Sequence, residues 1–362
     1  MIEQLTIGAR TIGPGKPVYI IAEIGSNFDG DLARAKELAR KCKAAGADAY
    51  KIQNFLAPKI VSAQGFKDLR VAFQSKWDKP VVEVYKNAEF PREWVRELAE
   101  YCREIGIDFM SSPYDEDAVD LLQEIEVEAH KIGSGEVDNL EFLAHVAKTG
   151  KPVILGVGAA TMEEIRTAVA AIRKAGNENI VVLQCVTNYP APIADTNLRA
   201  MVSIGKELSV LYGYSDHTIG PEQGGDDPLS GVTVPLGAVA LGACVIEKHV
   251  TDDPARRGPD HPFAMVIDGN FKDMCTAIRA MEKALGDGEK RLMPSEKETV
   301  IIQRRGMYAE RAIQAGERIA RDMIKLLRPA IGLKPRDMSR VVGGIAARDI
   351  AADAPIKDND IT

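Results

Sequence analysis

The sequence predicts a (β/α)₈ barrel of the TIM type followed by a small, mostly β domain, and three observations carry that prediction. Between about Val18 and Leu285, eight short apolar runs alternate with amphipathic segments of helical period. That is the pattern of a parallel sheet whose strands are joined by helices, and eight strands close a ring. Polar residues follow nearly every run, whereas an open doubly wound sheet would gather them at one crevice. After about Gly286 the long helical period stops and short β-like runs broken by turn residues take over.

The elements follow in order. Residues 4–15, ahead of Pro17, read as a hairpin able to plug the floor of the barrel, so that 1–16 is an appendage of a barrel domain spanning 1–285. Strands are expected at 18–24, 49–53, 108–112, 129–132, 153–156, 180–185, 210–214 and 243–248. Helices are expected at 32–45, 92–105, 140–149 and 162–175, where apolar residues recur three to four positions apart. The stretch between Asn54 and Pro91 is long for a βα connection and contains Trp77 and many charges; loops of this kind are more often functional than filler. Residues 286–303, charged over 287–298, read as a linker. The remainder, 304–362, has β-like runs at 308–313, 316–319, 328–332 and 343–347. A unit of that size is marginal alone and is expected to pack on something.

The chain is 45% hydrophobic and 27% charged with a net charge of −7, an ordinary soluble composition that argues against nucleic acid as a main partner. It leaves room for an anionic ligand, because local lysines decide that. No apolar segment approaches bilayer length, and Met1–Gln4 lack the basic-then-apolar pattern of a signal peptide. Neither a membrane nor an export route is expected. The five cysteines are scattered with no CxxC spacing, and Cys185 and Cys244 lie inside apolar runs. They read as small buried hydrophobes in a protein of the reducing cytoplasm.

Chemistry-bearing residues gather at strand ends, the mouth of such a barrel. His217 and His249 close two consecutive apolar runs in a chain with only five histidines. One such histidine would read as a strand cap; the pair reads as a site, and two neutral imidazoles with open positions suit a divalent metal such as Mn²⁺ or Zn²⁺. Lys51 and Lys131 sit inside apolar strands, where an uncompensated ammonium is costly. With Ser112, Ser134 and Ser215 as neutral donors they make a pocket for phosphate and carboxylate; the competing reading pairs each lysine with a nearby acid, Lys131 with Glu136. Glu23 and Glu247 each follow an apolar run and can serve as a general base or orient a histidine. Glu247 and His249, two residues apart, share one face of their strand. Asp260 and His261 lie in a Gly-Pro loop, where an Asx-type turn is as good a reading as a site. No GxGxxG or GxxxxGK[ST] run is present, so nucleotide binding has no support.

Taken together, the segments AEIGSN (22–27), GADAYKIQ (46–53), SSP (111–113), KIGSGE (131–136), NYP (188–190), GYSDHT (213–218), EKH (247–249) and GPDH (258–261) resemble the sialic acid synthase family. The segment AIQAGER (312–318) with Arg328 and Pro329 is similar to that family's C-terminal antifreeze-like (SAF, β-clip) domain. The resemblance implies a transferase that condenses phosphoenolpyruvate with an N-acyl amino-sugar aldehyde and water, releasing phosphate by C–O cleavage to give a nonulosonic acid. It further implies that His217 and His249 hold Mn²⁺ or Mg²⁺, and that Lys51, Ser112, Lys131, Ser134 and Ser215 hold phosphoenolpyruvate. Glu23, Gln53, Asn188, Tyr189 and Asp260 would face the sugar or position water, with Glu23, Glu247 and Asp260 as the catalytic carboxylates and Glu136 beside the substrate. Arg328 would grasp the sugar's acyl group in the barrel of a partner subunit, making a domain-swapped homodimer.

The chain departs from the family's pattern in three places. Leu155, Gly156, Val157, Gly158 and Ala159 stand where Leu-Ser-Thr-Gly-Met is usual, so a hydroxyl expected at the anion site is missing. Phe28 stands where a histidine is common, at the expected sugar end of the pocket, and 221–230 reads as an insertion beside the metal site. A related synthase acting on a different or phosphorylated sugar is the enzymatic alternative, with Lys59, Lys67, Arg70 and Lys76 as the basic cluster it would need. A sugar-binding homologue without turnover is the alternative of another class.

Overall fold

The structure, a computed structural model, describes residues 3–67, 69 and 79–362. It divides into two compact units, 1–287 and 288–362.

In the first unit, strands β1 (Leu5–Ile7) and β2 (Arg10–Ile12) form an antiparallel hairpin. The barrel strands are β3 (Tyr19–Glu23), β4 (Ala49–Asn54), β5 (Asp108–Pro113), β6 (His130–Ile132), β7 (Val153–Gly156), β8 (Ile180–Cys185), β9 (Leu211–Asp216) and β10 (Val245–Thr251). They hydrogen-bond in the order β5-β4-β3-β10-β9-β8-β7-β6, every rung parallel. The chain's first barrel strand thus pairs with its last, which a doubly wound sheet does not do. Strands β5 and β6 lie side by side at the ends of this path without a continuous ladder, so the ring is nearly closed. Strands of a barrel wrapped by helices are buried on both faces and carry continuous apolar runs; β3 and β10 are buried along their whole length.

The helices hold where their caps and apolar faces say they should. Leu32–Ala45 starts at Asp31, whose carboxylate accepts from the amides of Ala33 and Arg34, and stops at Gly46 with φ +103°. Met162–Lys174 begins with a capping box between Thr161 and Glu164. Inside the ring, Leu5, Ile7 and Ile12 of the hairpin cluster with Tyr19, Val181 and Val245, so the hairpin does plug the floor. Each such side chain, once buried, contributes about 1.5–3 kcal/mol of apolar transfer.

Three boundaries differ from expectation. His249 does not end its strand, because Val250 and Thr251 continue into a parallel pair with β11 (Met265–Val266). The charged stretch expected as linker runs into a short helix, Lys297–Gln303. In the second unit the regular strands are only β12 (Gly306–Ala309) and β13 (Ile324–Leu327), paired antiparallel. The run expected at 328–332 is not a strand; Pro329 has no N–H to give a ladder. Around 313, 318 and 346 the expected runs are reduced to isolated bridges. A core of Met307, Ile313, Ile319, Ile324, Val341 and Ile356 holds this unit together.

Candidate active site

Parallel register decides which polar side chains meet. Glu23 lies beside His249 on one side and Lys51 on the other, Glu247 beside Ser215, and Gln53 beside Ser112. Side chains alternate across a strand, and β10 shows the consequence. Glu247 and His249 line the cavity at the barrel mouth, whereas Lys248 between them is spent on Asp216 and the carbonyl of Thr218. That cavity, of about 580 Å³, brings together every expected residue of the barrel: Glu23, Lys51, Gln53, Ser112, Lys131, Ser134, Glu136, Asn188, Tyr189, Ser215, His217, Glu247, His249 and Asp260. Arg328 belongs to the second unit, directly after β13.

At the inner end, Glu247 is the hub. Its Oε1 accepts from Ser215 Oγ at 2.8 Å and lies 3.2 Å from Lys131 Nζ, while Oε2 lies 3.6 Å from Lys51 Nζ. Lys51 also donates to Ser112 Oγ at 2.9 Å and pairs with Glu23, whose Oε1 accepts the amide of Gly25 at 2.6 Å. Burial works against every charge here. It pushes Lys51 down to about 7 against the pull of Glu247. It also opposes ionisation of Glu247, but Lys131, Lys51 and the Ser215 hydroxyl outweigh it and hold that carboxyl well below its usual range. Lys131 therefore pairs with Glu247 and not with Glu136, which instead accepts from Asn139 at 3.0 Å. Two ammonium groups, two carboxylates and two hydroxyls form a polarised end wall in which a bound anion would compete with the carboxylates for the lysines.

Nearer the mouth the two imidazoles face each other, ring centres 5.5 Å apart at 55°. His217 Nδ1 lies 2.6 Å from the carbonyl of Val186. A carbonyl only accepts, so that nitrogen carries the proton and Nε2 keeps its lone pair. Burial lowers His217 to about 4 and His249 well below the ordinary value, so both rings are neutral. His249 Nδ1 is buried with no hydrogen-bond partner. Neutral rings with a free lone pair and an orphaned nitrogen fit a divalent cation. Among the described residues no set of three or more His, Cys, Asp or Glu side chains converges as a metal site; His217 and His249 are the side chains that would hold the ion.

The rim is set by loops docked on one another. Asp260 Oδ2 accepts from the amide and hydroxyl of Ser26 at 2.6 and 2.8 Å, and burial raises its carboxyl above the ordinary range. Gly25 has φ +49°, and a Cβ there would stand 2.2 Å from that same oxygen, so only glycine lets the two loops meet. His261 is a strut: its Nδ1 lies 2.7 Å from Thr251 Oγ1 and its Nε2 2.8 Å from Asp29 Oδ1. The aromatic wall was not read from the sequence. Phe55, Tyr85 and Tyr114 on one side and Phe263 on the other line the cavity. For Phe55 and Tyr85 the sequence signal was the length of the loop after β4, whose helix Val81–Ala88 carries Tyr85; Tyr114 and Phe263 had none.

The departures also find places. A Cβ at Gly156 would point between Ser134 Oγ (3.1 Å) and Lys131 Nζ (3.4 Å), so the missing hydroxyl is missing from the lysine end of the cavity. Ser134 Oγ instead accepts the amide of Gly158 at 2.9 Å. Phe28 is core, packed on Phe90 with ring centres 4.8 Å apart, and does not shape the sugar end. Of the basic cluster, Lys59 is engaged by Asp117 at 2.5 Å and Asp115 at 3.4 Å. Arg70 and Lys76, like Trp77, lie outside the described residues.

Comparison with known proteins accords with this architecture. The NeuB family matches residues 38–290 and the SAF domain residues 304–362. A pseudaminic acid synthase of Helicobacter pylori is 35% identical, covering 96% of this chain and 98% of its own. An N,N'-diacetyllegionaminic acid synthase of Campylobacter jejuni is 36% identical, covering 95% of this chain and 100% of its own. The crystal structure of N-acetylneuraminic acid synthetase from Leptospira borgpetersenii, in complex with citrate, superposes with a TM-score of 0.70 at 32% identity, over 82% of this chain and 95% of that one. The chain belongs to the NeuB family, the sialic acid synthase family of enzymes, and carries its C-terminal SAF domain.

Proposed function

We propose that the enzyme condenses phosphoenolpyruvate with the open-chain aldehyde of an N-acyl amino sugar, adding water and releasing phosphate, to give a nonulosonic acid. The observation that carries this reading is the single cavity with two buried ammonium groups at its inner end and two neutral imidazoles nearer the mouth. Lys51, Lys131, Ser112, Ser134 and Ser215 would bind the phosphate and carboxylate. Bound there, C3 of phosphoenolpyruvate attacks the aldehyde carbon, water adds at C2, and phosphate leaves with its bridging oxygen. Glu23 and Glu247 would orient the lysines and the water, and Asp260, whose carboxyl holds its proton to higher pH than usual, would serve the oxygen that gains charge. Gln53, Glu136, Asn188 and Tyr189 would face the sugar. A divalent cation, Mn²⁺ or Mg²⁺, held by His217 and His249 would supply Lewis acidity toward the aldehyde.

Lys59 already has two carboxylate partners, which favours a sugar without phosphate. The second unit exposes Leu292, Met293, Ile301 and Ile302, an apolar surface that supports a homodimer in which Arg328 reaches the partner's sugar. All five cysteines are free, in keeping with a reducing cytoplasm, and no helix among the described residues is long and apolar enough to cross a membrane. Phosphate release from phosphoenolpyruvate is the test, across N-acyl amino sugars with and without Mn²⁺. Release that depends on both the sugar and the metal is expected; no release with any sugar would overturn the reading.

A further inference from the structure

Four rings form a closed circuit around the imidazole pair. Tyr189 packs tilted against His217 at 4.3 Å, His217 faces His249 at 5.5 Å, His249 meets Phe263 edge-on at 5.1 Å, and Phe263 returns to Tyr189 at 4.8 Å. His217 directly follows β9 and His249 lies on β10, whereas Tyr189 and Phe263 come from loops. Phe263 sits in the loop between β10 and β11, within a single 3₁₀ turn, His261–Phe263. A ring delivered from a loop holds its place only if something fixes the backbone on both sides of it.

That fixture comes from the segment 221–230 after β9, the one the sequence reads as an insertion. Gln223, in the short turn Pro221–Gln223, donates its side-chain Nε2 to the carbonyls of Ala264 at 2.9 Å and Pro262 at 3.3 Å, the two carbonyls that flank Phe263. One amide group thus spans the residue it positions. The far side of the same loop is pinned independently, by His261 to Thr251 and Asp29 and by Asp260 to Ser26. The turn bearing Gln223 is itself tied down. Asp227 accepts from the amides of Leu229 and Thr233 and from the Thr233 hydroxyl at 2.7–3.1 Å, and its own amide donates to the carbonyl of Ile219 at 3.0 Å.

We infer that Gln223 is a positioning residue for sugar recognition, acting through Phe263, whose ring with Tyr189 forms the apolar wall on which the C–H face of the open-chain sugar rests. Aromatic faces bury such C–H surface with geometric selectivity. The inference rests on the proposed reaction for its substrate, and on the structure alone for the clasp.

Two measurements test it. Hydrogen exchange on the unliganded full-length protein reads the clasp without any turnover. In Gln223→Ala, peptides covering 259–266 should exchange several-fold faster while the barrel strands are unchanged; unchanged exchange at 259–266 overturns the proposal. Steady-state kinetics with phosphoenolpyruvate and the best N-acyl sugar read recognition. Loss of two neutral hydrogen bonds should raise the sugar's KM by about tenfold, leaving the KM of phosphoenolpyruvate within twofold. Gln223→Glu, which keeps the shape but places a carboxylate against two carbonyls, should behave like Gln223→Ala, and Gln223→Arg, which restores donors, should recover part of the loss. In a Phe263→Ala background, adding Gln223→Ala should change the sugar's KM no further. Equal effects on both substrates, or full additivity in the double variant, overturn the inference. Absence of phosphate release in the parent enzyme would instead remove the proposed reaction, and the exchange experiment would still decide the clasp.

Discussion

Replacing Glu247 by Gln keeps the shape of the hub and removes its charge. The carboxylate lies 3.2 Å from Lys131 and 3.6 Å from Lys51, and at an effective dielectric near 20 each attraction is worth about 5 kcal/mol. Part of that sum offsets the cost of burying the carboxylate, a cost glutamine does not incur. The expected loss of folding stability is therefore about 3–5 kcal/mol, the range for leaving a buried charge without its partner. The loss should depend on pH with a definite sign. In the variant Lys51, which burial already lowers to about 7, loses a counter-charge, so its folded-state pKa falls further below that of an unfolded lysine. Between the two values the unfolded chain binds more protons, and stability rises with pH there. Below the parent's value of about 7 only the variant gains stability with pH, so the deficit should be largest below pH ~6 and shrink as pH rises toward about 7. Urea denaturation followed by circular dichroism at several pH values measures this. Added inorganic phosphate, which offers the lysines a new counter-ion, should restore stability more in the variant than in the parent. A deficit below about 1 kcal/mol, or one indifferent to pH, would refute the account of Glu247 as the ion that holds the two lysines.

Other substitutions test the remaining parts. His249→Ala should abolish metal-dependent turnover and leave the circular dichroism spectrum intact; unchanged turnover would remove the metal role. Arg328→Ala should raise the KM of the sugar far more than that of phosphoenolpyruvate, and equal losses would contradict a reach into the partner's site. Gly25→Ala introduces a Cβ that would stand 2.2 Å from Asp260 Oδ2, on a residue whose φ already disfavours a side chain. It should cost about 1–3 kcal/mol and separate Ser26 from Asp260, seen as a lowered Tm and faster hydrogen exchange at 23–29.

Much of this architecture was legible before any coordinates. Strand positions follow from apolar runs, the helices Leu32–Ala45 and Arg92–Ile105 from their periodicity, and the inward pairing of Glu247 with His249 from the alternation of a strand. The sequence does not reveal partners that meet across the ring. The competing reading pairs Lys131 with Glu136 because a neighbour in sequence is the visible candidate, whereas Glu247 reaches it only after the barrel closes. Aromatic residues in loops carry no mark that separates a cavity wall from core, so Phe263 and Tyr85 went unnoticed while Phe28, which is core, was read as pocket. Gln223 drew no attention by itself; only the strangeness of its segment did.

The plugged hairpin end gives this enzyme a cul-de-sac. On the proposed reaction, whatever meets the paired ammonium groups would have to arrive before the sugar parks behind it, and inorganic phosphate, released at the blind end, would leave only after the new acid had cleared the same doorway. Traffic in such an alley runs last in, first out, so inhibition by the two products should differ in kind: the acid blocking the lane, phosphate occupying the berth.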